Sequence, residues 1–116
     1  MLFTQKSEVD IHEMSPLALA FVGDAVLELL VRARLVGTTR LQPNRLHTVA
    51  THYVSAHAQN LELDIIEPML TDAEAAVLRR GKNASKATVA KHATVQEYRA
   101  STGFECLLGW LYLQGR

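Results

Sequence analysis

The chain begins its regular pattern of apolar and polar positions at Ser15-Pro16, which has the form of a helix start. Ser15 is a suitable N-cap, and Pro16 suits the first helical position. The run from Leu17 to Leu35 follows, and Gly37 is expected to end it. Because apolar positions cover most of the circumference, this segment is predicted to be a central, buried helix.

Two further helical segments are predicted in the middle of the chain. Pro43 opens the first, which is expected to run to about Asn60 with an apolar stripe at helical spacing. A short helical piece is expected over residues 63–70, where Pro68 interrupts it.

Two capping boxes mark the remaining helices. Thr71-Asp72-Ala73-Glu74 starts a helix that is expected to reach Arg80 and to end at Gly81. Residues 81–93 show no clear period and are interpreted as a mobile basic loop. Thr94-Val95-Gln96-Glu97 starts a last helix to Gln114, with a break expected near residues 101–103. No segment has a convincing strand pattern, so an all-α fold is predicted.

The composition fits one small helical domain. Of 116 residues, 48% are hydrophobic and only 6% aromatic, which favours helix packing over sheet packing. The single cysteine, Cys106, excludes an internal disulfide framework and a four-cysteine zinc site. The first ten residues lack the apolar core of a signal peptide, and no apolar run approaches the ~20 residues of a membrane span. A cytoplasmic location without membrane contact is expected.

The zero net charge conceals an uneven distribution. Residues 79–99 carry six basic residues against the single acid Glu97, so the remainder of the chain is net acidic. A basic strip of this kind suits a nucleic-acid backbone. The alternative is a solvated loop with ordinary surface lysines.

Two acidic residues lie in apolar surroundings. Asp24 follows AFVG and precedes AVLELL, whereas Glu105 lies between GF and CLLGW. A buried carboxylate is costly unless it is paired or neutralised. Three interpretations are open: a pair with an arginine such as Arg32, a cap on a neighbouring helix, or convergence of both acids on a hard divalent cation.

Two glycines bear on that choice. Gly23 adjoins Asp24, and Gly109 follows Glu105 by about one turn, both inside strong helical patterns. Each weakens its helix by about 1 kcal/mol relative to alanine. That cost indicates close backbone approach, so the two helices are expected to cross near the acids. Ordinary helix packing is the alternative explanation.

Other chemistry finds little support. His47, His52 and His57 are spaced by five residues and therefore do not share a helix face, which argues against a histidine metal site. Cys106 has the apolar setting of a core residue. No phosphate-binding glycine loop or serine-nucleophile motif is present.

Four segments, in this order, resemble one known family. Residues 21–27 (FVGDAVL) resemble the signature of the ribonuclease III catalytic domain, and residues 104–109 (FECLLG) resemble its second acidic motif. Residues 79–84 (RRGKNA) and 98–105 (YRASTGFE) are similar to the compact bacterial branch, Mini-ribonuclease III, which lacks a double-stranded-RNA-binding domain. The resemblance covers about residues 15–114.

The resemblance implies one ribonuclease III-type domain over residues 1–116, a bundle of five to seven helices that pairs as a homodimer. It implies a metal-dependent endoribonuclease in which Asp24 and Glu105 are catalytic and hold Mg²⁺, for which Mn²⁺ can substitute. The substrate implied is double-stranded RNA, specifically the paired ends of precursor large-subunit (23S) ribosomal RNA, and a ribosomal protein is a candidate partner.

The resemblance also implies contact residues. Phe21 resembles the aromatic residue that inserts into the partner subunit, with a place in the core as the alternative. The residues expected to contact RNA are Arg79, Arg80, Lys82, Asn83, Ser85, Lys86, Lys91 and Arg99.

Departures from the larger family members limit the ligand set. Those members carry an acid where this chain has Ala20, and another where it has Thr102; the compact branch is similar in both losses. Fewer protein ligands imply more water on the metal, which suits Mg²⁺. Glu28 could act as an outer-shell acid, although a surface acid is its ordinary interpretation.

The main rival function is a catalytically silent helical dimer that binds RNA or a ribosomal protein. The other rival is a plain helical interaction module.

Overall fold

The computed structural model describes residues 8–40, 42–84 and 94–115. Within those ranges the chain forms five α-helices and no strand: α1 (Pro16–Thr38), α2 (Pro43–Tyr53), α3 (Ala56–Ile66), α4 (Asp72–Ala84) and α5 (Val95–Leu113). Short 3-10 turns cover Ile11–Glu13 and Glu67–Met69. The predicted all-α fold is confirmed. None of the described helices combines the length and apolarity needed to span a membrane.

Local capping fixes the helix starts where the sequence predicts them. The Ser15 hydroxyl accepts a hydrogen bond from the Ala18 N–H at 3.1 Å, with Pro16 at the first position of α1. Thr94 and Glu97 form both bonds of a capping box at α5. Thr71 and Glu74 form the reciprocal pair at α4. These contacts satisfy backbone donors that a helix start otherwise leaves unpaired.

The central helix is α5 rather than α1, which corrects the expectation from the apolar pattern. α5 packs against α1, α3 and α4, and most of residues 100–109 are buried. α1 instead leaves one side open, where Phe21 is 82% exposed and Val36 66% exposed. The apolar circumference of α1 thus reflects an uncovered surface as well as core, whereas the small residues of α5 allow three neighbours to approach.

Several predicted helix boundaries are wrong. Gly37 does not end α1, which continues to Thr38. The segment from Pro43 does not continue to Asn60, because α2 ends at Tyr53 and the Ser55 hydroxyl caps a new helix by accepting from the Ala58 N–H. α3 then extends to Ile66, and Pro68 lies in the 3-10 turn that follows. The last helix has no break near residues 101–103.

Gly81 does not end α4, which continues to Ala84. It lies instead at the contact of α4 with α5: a Cβ atom there would be 2.7 Å from the Cys106 Cβ and 2.8 Å from the Gly103 Cα. The residues at 81–84 therefore belong to a helix rather than to the predicted loop. Residues 85–93 lie outside the described part of the chain.

The crossing of α1 and α5 is closer still. A Cβ atom on Gly23 would lie 1.6 Å from the Glu105 carbonyl oxygen, and one on Gly109 would lie 1.9 Å from the Leu19 carbonyl oxygen. Both distances are far inside van der Waals contact, so no residue with a side chain fits at either position. The prediction that these helices cross at their glycines, beside the two acids, is confirmed.

We therefore expect Gly23→Ala to destabilise the protein by about 3 kcal/mol or more, because the methyl group has to push apart two helix backbones. Chemical denaturation followed by circular dichroism measures the change. Gly37→Ala is the matched control in the same helix, since nothing lies within 4 Å of its added Cβ. That variant should be as stable as the wild type or up to about 1 kcal/mol more stable. Equal effects of both substitutions would contradict the packing explanation.

Candidate active site

The α1–α5 crossing brings two carboxylates together. Gly23 touches the backbone of Glu105, so Asp24, the next residue of α1, lies beside the Glu105 side chain, with which it interacts directly. Glu105 is half-buried, whereas Asp24 is exposed. The expectation that both acids are buried is thus wrong for Asp24, because its side of α1 is not covered by another helix of the chain.

The described contacts decide against two of the three interpretations of these acids. No Lys, Arg or His nitrogen of the described residues lies within 4.0 Å of either carboxylate. Arg32 pairs with Glu28 instead, at 2.9 Å and one turn apart on α1, which gives Glu28 the role of a surface ion-pair partner. The described helix caps are also made by other residues, and both acids lie inside helices. The third interpretation, in which both acids converge on a divalent cation, is the one that these contacts leave open.

The electrostatics of the two carboxylates indicate that a positive charge would stabilise them. The pKa of Glu105 is raised to about 7: burial is the largest cause, the hydrogen bond from the Gln59 N–H lowers the pKa, and the hydrogen bond and negative charge of Asp24 raise it. A group of like charges with no cation nearby is the arrangement that most disfavours ionisation. A bound divalent ion would remove that penalty.

Gln59 is part of the site, although the sequence analysis did not identify it. Its Nε2 atom donates to the Val54 carbonyl oxygen at 2.9 Å and to Glu105 Oε2 at 3.3 Å. The side chain is buried, with 2% exposure. The available signal was its position on α3, one turn before the buried Leu63 and hence on the core-facing stripe.

The donor set fits a hard divalent cation held mainly by water and substrate. Two carboxylates offer oxygen ligands, which Mg²⁺ and Mn²⁺ prefer. The described residues provide no cluster of three or more His, Cys, Asp or Glu side chains around a metal position. Ala20 and Thr102 are both buried. An ion there would depend on Asp24, Glu105 and non-protein ligands.

Three of the residues expected to contact RNA are joined to each other within the protein. The Arg99 guanidinium donates to the Lys82 carbonyl oxygen and to Asn83 Oδ1, both at 3.1 Å, and so ties α5 to the last turn of α4. Lys82 reaches Glu67 at 3.4 Å. Lys82 and Arg99 also line a polar cavity of about 650 Å³ between α3, α4 and α5. These residues therefore have a structural role in addition to any contact with RNA.

The other predicted RNA contacts divide into two groups. Arg79 and Arg80 are exposed on α4, where their guanidinium groups are accessible to a large ligand. Ser85, Lys86 and Lys91 lie outside the described residues.

Histidine and cysteine side chains among the described residues have other contacts. His57 contacts the Glu97 carboxylate through Nδ1, and the three histidines at positions 47, 52 and 57 form no cluster. Cys106 is 1% exposed in the core, and burial raises the pKa of its thiol to about 11. A thiol in that state is a poor nucleophile at neutral pH.

Comparison with known proteins agrees with this fold. Residues 17–116 match the family described as the ribonuclease III domain, and the chain belongs to that family. Within it, the chain is similar to proteins named Mini-ribonuclease 3. It is 46% identical to the one from Enterococcus faecalis, over 90% of this chain and 80% of that protein. It is 43% identical to the one from Brevibacillus brevis, over 97% of this chain and 85% of that protein.

The fold has a solved counterpart. A crystal structure of a protein from Fusobacterium nucleatum superimposes with a TM-score of 0.82 at 31% identity, covering 96% of this chain and 86% of that one. The sequence resemblance to Mini-ribonuclease III is therefore confirmed, and the chain is an endoribonuclease of the ribonuclease III type by family.

The raised pKa of Glu105 generates a prediction for the metal-free protein. Because the pKa is about 7 in the folded state against an ordinary 4.5, the unfolded chain loses this proton first as the pH rises. Stability should therefore fall between about pH 4.5 and 7 and then level off, by about 1–2 kcal/mol after allowing for solvent around this half-buried group. Glu105→Gln should lack this decrease and be the more stable protein at pH 8.

Thermal unfolding in a chelating buffer across this pH range measures the effect. Glu13→Gln, which changes an exposed acid, serves as the control and should keep the pH profile of the wild type. Parallel profiles for wild type and Glu105→Gln would show that Glu105 ionises freely in the folded protein.

Proposed function

We propose that this protein is a metal-dependent endoribonuclease that cuts double-stranded RNA, with Asp24 and Glu105 holding Mg²⁺. The observation that carries the proposal is the pairing of these two carboxylates without any Lys, Arg or His of the described residues within 4.0 Å. Mn²⁺ has the same preference for oxygen ligands and is expected to substitute.

The two acids differ in a way that suits hydrolysis of a phosphodiester. Glu105 is half-buried and packed against α3, so it provides a fixed ligand on the inner side of the site. Asp24 is exposed, so it lies on the side from which a large substrate arrives. When bound, the divalent ion supplies positive charge that activates water for attack and stabilises the leaving 3′ oxygen.

RNA binding is assigned to the basic residues of α4, the start of α5 and the segment between them. Arg79 and Arg80 are exposed on α4, and Arg99 is exposed on α5. Contacts with phosphates carry most of the affinity of such surfaces and do not depend on base identity. Duplex RNA is recognised mainly by its shape and its 2′-hydroxyl groups. Asn83 is exposed beside these arginines and could add a groove contact; Lys82, Ser85, Lys86 and Lys91 complete the proposed set.

A homodimer is proposed from the open side of α1. The residues Phe21, Ala25, Leu29, Ala33 and Val36 recur every three or four positions and are all exposed, so they form one apolar stripe along the helix. A continuous apolar stripe of this kind is unusual on a monomer and suits a self-complementary two-fold contact. Each dimer would carry two active sites, one for each RNA strand.

A groove beside the same helix would accept the Phe21 ring of a second copy. An apolar groove of about 210 Å³ lies at the other end of α1, between Leu35 and Val36 on one side and α2 on the other. In an antiparallel pairing of two α1 helices, Phe21 of one copy lies beside Val36 of the second. The groove of each copy would then hold the Phe21 ring of the other copy, so the two-fold axis would make the same contact twice.

Phe21→Asp is expected to convert the dimer into a monomer, because a charged group replaces an apolar anchor in the interface. Light scattering coupled to size exclusion at micromolar concentration measures the mass, which should be about twice the 12.9 kDa chain mass for the wild type. Tyr112→Asp changes another exposed aromatic residue, on α5, and should leave the dimer intact. A monomeric wild type, or a dimeric Phe21→Asp variant, would contradict the assignment.

Cleavage itself is tested with long double-stranded RNA in the presence of Mg²⁺ or of a chelator. Wild type should cut only with the cation, whereas Asp24→Asn and Glu105→Gln should lose at least about 100-fold in rate while remaining folded, because each removes a ligand charge. The control is Glu28→Gln, which changes an acid one turn from Asp24 that is paired with Arg32. Cleavage in chelator, or full activity of both ligand variants, would overturn the proposed mechanism.

The main alternative is a catalytically silent helical dimer that binds RNA or a ribosomal protein. RNA binding without cleavage in the same assay would favour it. The pairing of both acids at one point argues for catalysis, since a binding protein has no need of that electrostatic cost.

The proposed natural substrate is the paired end region of precursor large-subunit (23S) ribosomal RNA, processed in the cytoplasm with a ribosomal protein as a candidate partner. This part of the proposal rests on the family resemblance of residues 15–114. Sequencing of cleavage ends in precursor RNA incubated with the protein tests it directly.

A further inference from the structure

Gln59 occupies a position where its chemistry is otherwise unexplained. It lies on the core-facing stripe of α3, and its side chain is almost entirely buried. Its amide nitrogen donates two hydrogen bonds, one to the Val54 carbonyl oxygen and one to Glu105 Oε2. Its amide oxygen, Oε1, is buried and has no hydrogen-bond partner among the described residues.

This arrangement is poor for stability. A buried acceptor without a partner costs about 1–3 kcal/mol, whereas an apolar residue of similar size would fill the same space without that penalty. A glutamine at a site with this cost indicates a function that an apolar residue cannot supply. The function is assigned to the N–H groups, because the oxygen forms no hydrogen bond with a described residue.

The two acceptors show what the N–H groups achieve. Val54 is the C-cap of α2, at the bend before α3, so the first bond fixes the amide plane to the backbone. The second bond is then directed from a fixed point to one oxygen of Glu105. A glutamate side chain has three rotatable bonds, and a hydrogen bond at its end removes much of that freedom. The remaining lone pairs of the carboxylate stay available to a ligand.

We propose that Gln59 is a positioning residue, which holds the Glu105 carboxylate in the orientation that binds the divalent cation. The inference rests on the proposed cation site and adds to it a residue from α3, a helix that contributes none of the ligands. Residues that hydrogen-bond to metal ligands orient them, and their loss typically lowers metal affinity or activity by 10–100-fold.

The test is direct binding of Mn²⁺ to the chelator-stripped full chain, measured by the electron paramagnetic resonance signal of free Mn²⁺. Gln59→Met keeps the length of the side chain and removes both N–H groups. It should raise the Mn²⁺ dissociation constant by about 10-fold or more. The Mg²⁺ concentration for half-maximal RNA cleavage should rise in parallel, while the rate at saturating Mg²⁺ stays within about threefold of wild type.

Leu63→Val is the matched control, because it loosens the same buried stripe one turn further along α3 and is not among the residues assigned to the cation site. It should retain the Mn²⁺ affinity of the wild type. An unchanged dissociation constant in Gln59→Met, or an equal rise in both variants, would overturn the positioning role. If Gln59→Met does not fold, Gln59→Asn decides, because its shorter amide cannot reach both acceptors and should weaken Mn²⁺ binding in the same way.

The outcomes also separate this inference from the function on which it rests. If wild type bound no Mn²⁺, or if Asp24→Asn bound it normally, the cation site itself would be wrong. If wild type bound Mn²⁺ with dependence on Asp24 and Gln59→Met bound it equally well, only the role of Gln59 would be overturned.

Discussion

Two helix backbones meet without intervening side chains where α1 crosses α5, and the candidate site depends on that contact. The Gly23 Cα position faces the Glu105 carbonyl group, and the Gly109 Cα position faces that of Leu19. Glycine in a helix interior costs about 1 kcal/mol at each position, and the contact between the helices offsets that cost. Because the approach occurs beside Asp24 and at Glu105, the same two glycines that join the helices also bring the carboxylates together.

The arrangement of the candidate site lowers the stability of the folded protein. Glu105 is kept partly out of water, beside a second acid and with no basic partner within 4.0 Å among the described side chains, and burial raises its pKa to about 7. Gln59 adds a buried oxygen with no partner in the described part of the chain. Local arrangements that reduce stability are typical of functional sites, where a ligand supplies the missing interaction. The divalent cation that we propose would relieve the repulsion between the two carboxylates, and their oxygen atoms are the ligands that such an ion prefers.

The features that the sequence predicted correctly are those with a local cause. Ser15 and Thr94 cap their helices through bonds to residues three positions away, and the cost of Gly23 indicates close packing without any knowledge of the partner. The break after Tyr53 was missed because the apolar period continues across it while the Ser55 cap interrupts the backbone. Gly81 was misassigned because a glycine at a helix end and a glycine at a helix contact look the same in sequence. Gln59 was missed because glutamine is ordinarily a surface residue, and only the tertiary structure shows that it reaches Glu105.

We propose that the α1–α5 crossing creates one divalent cation site from Asp24 and Glu105. Anomalous diffraction from crystals of the protein soaked in Mn²⁺ tests it most directly, because the peak locates the ion without reference to activity. We expect a peak within coordination distance of both carboxylates, which should be absent in Asp24→Asn crystals treated in the same way. A Mn²⁺ peak held by other residues, or no peak beside these two carboxylates at millimolar Mn²⁺, would contradict it.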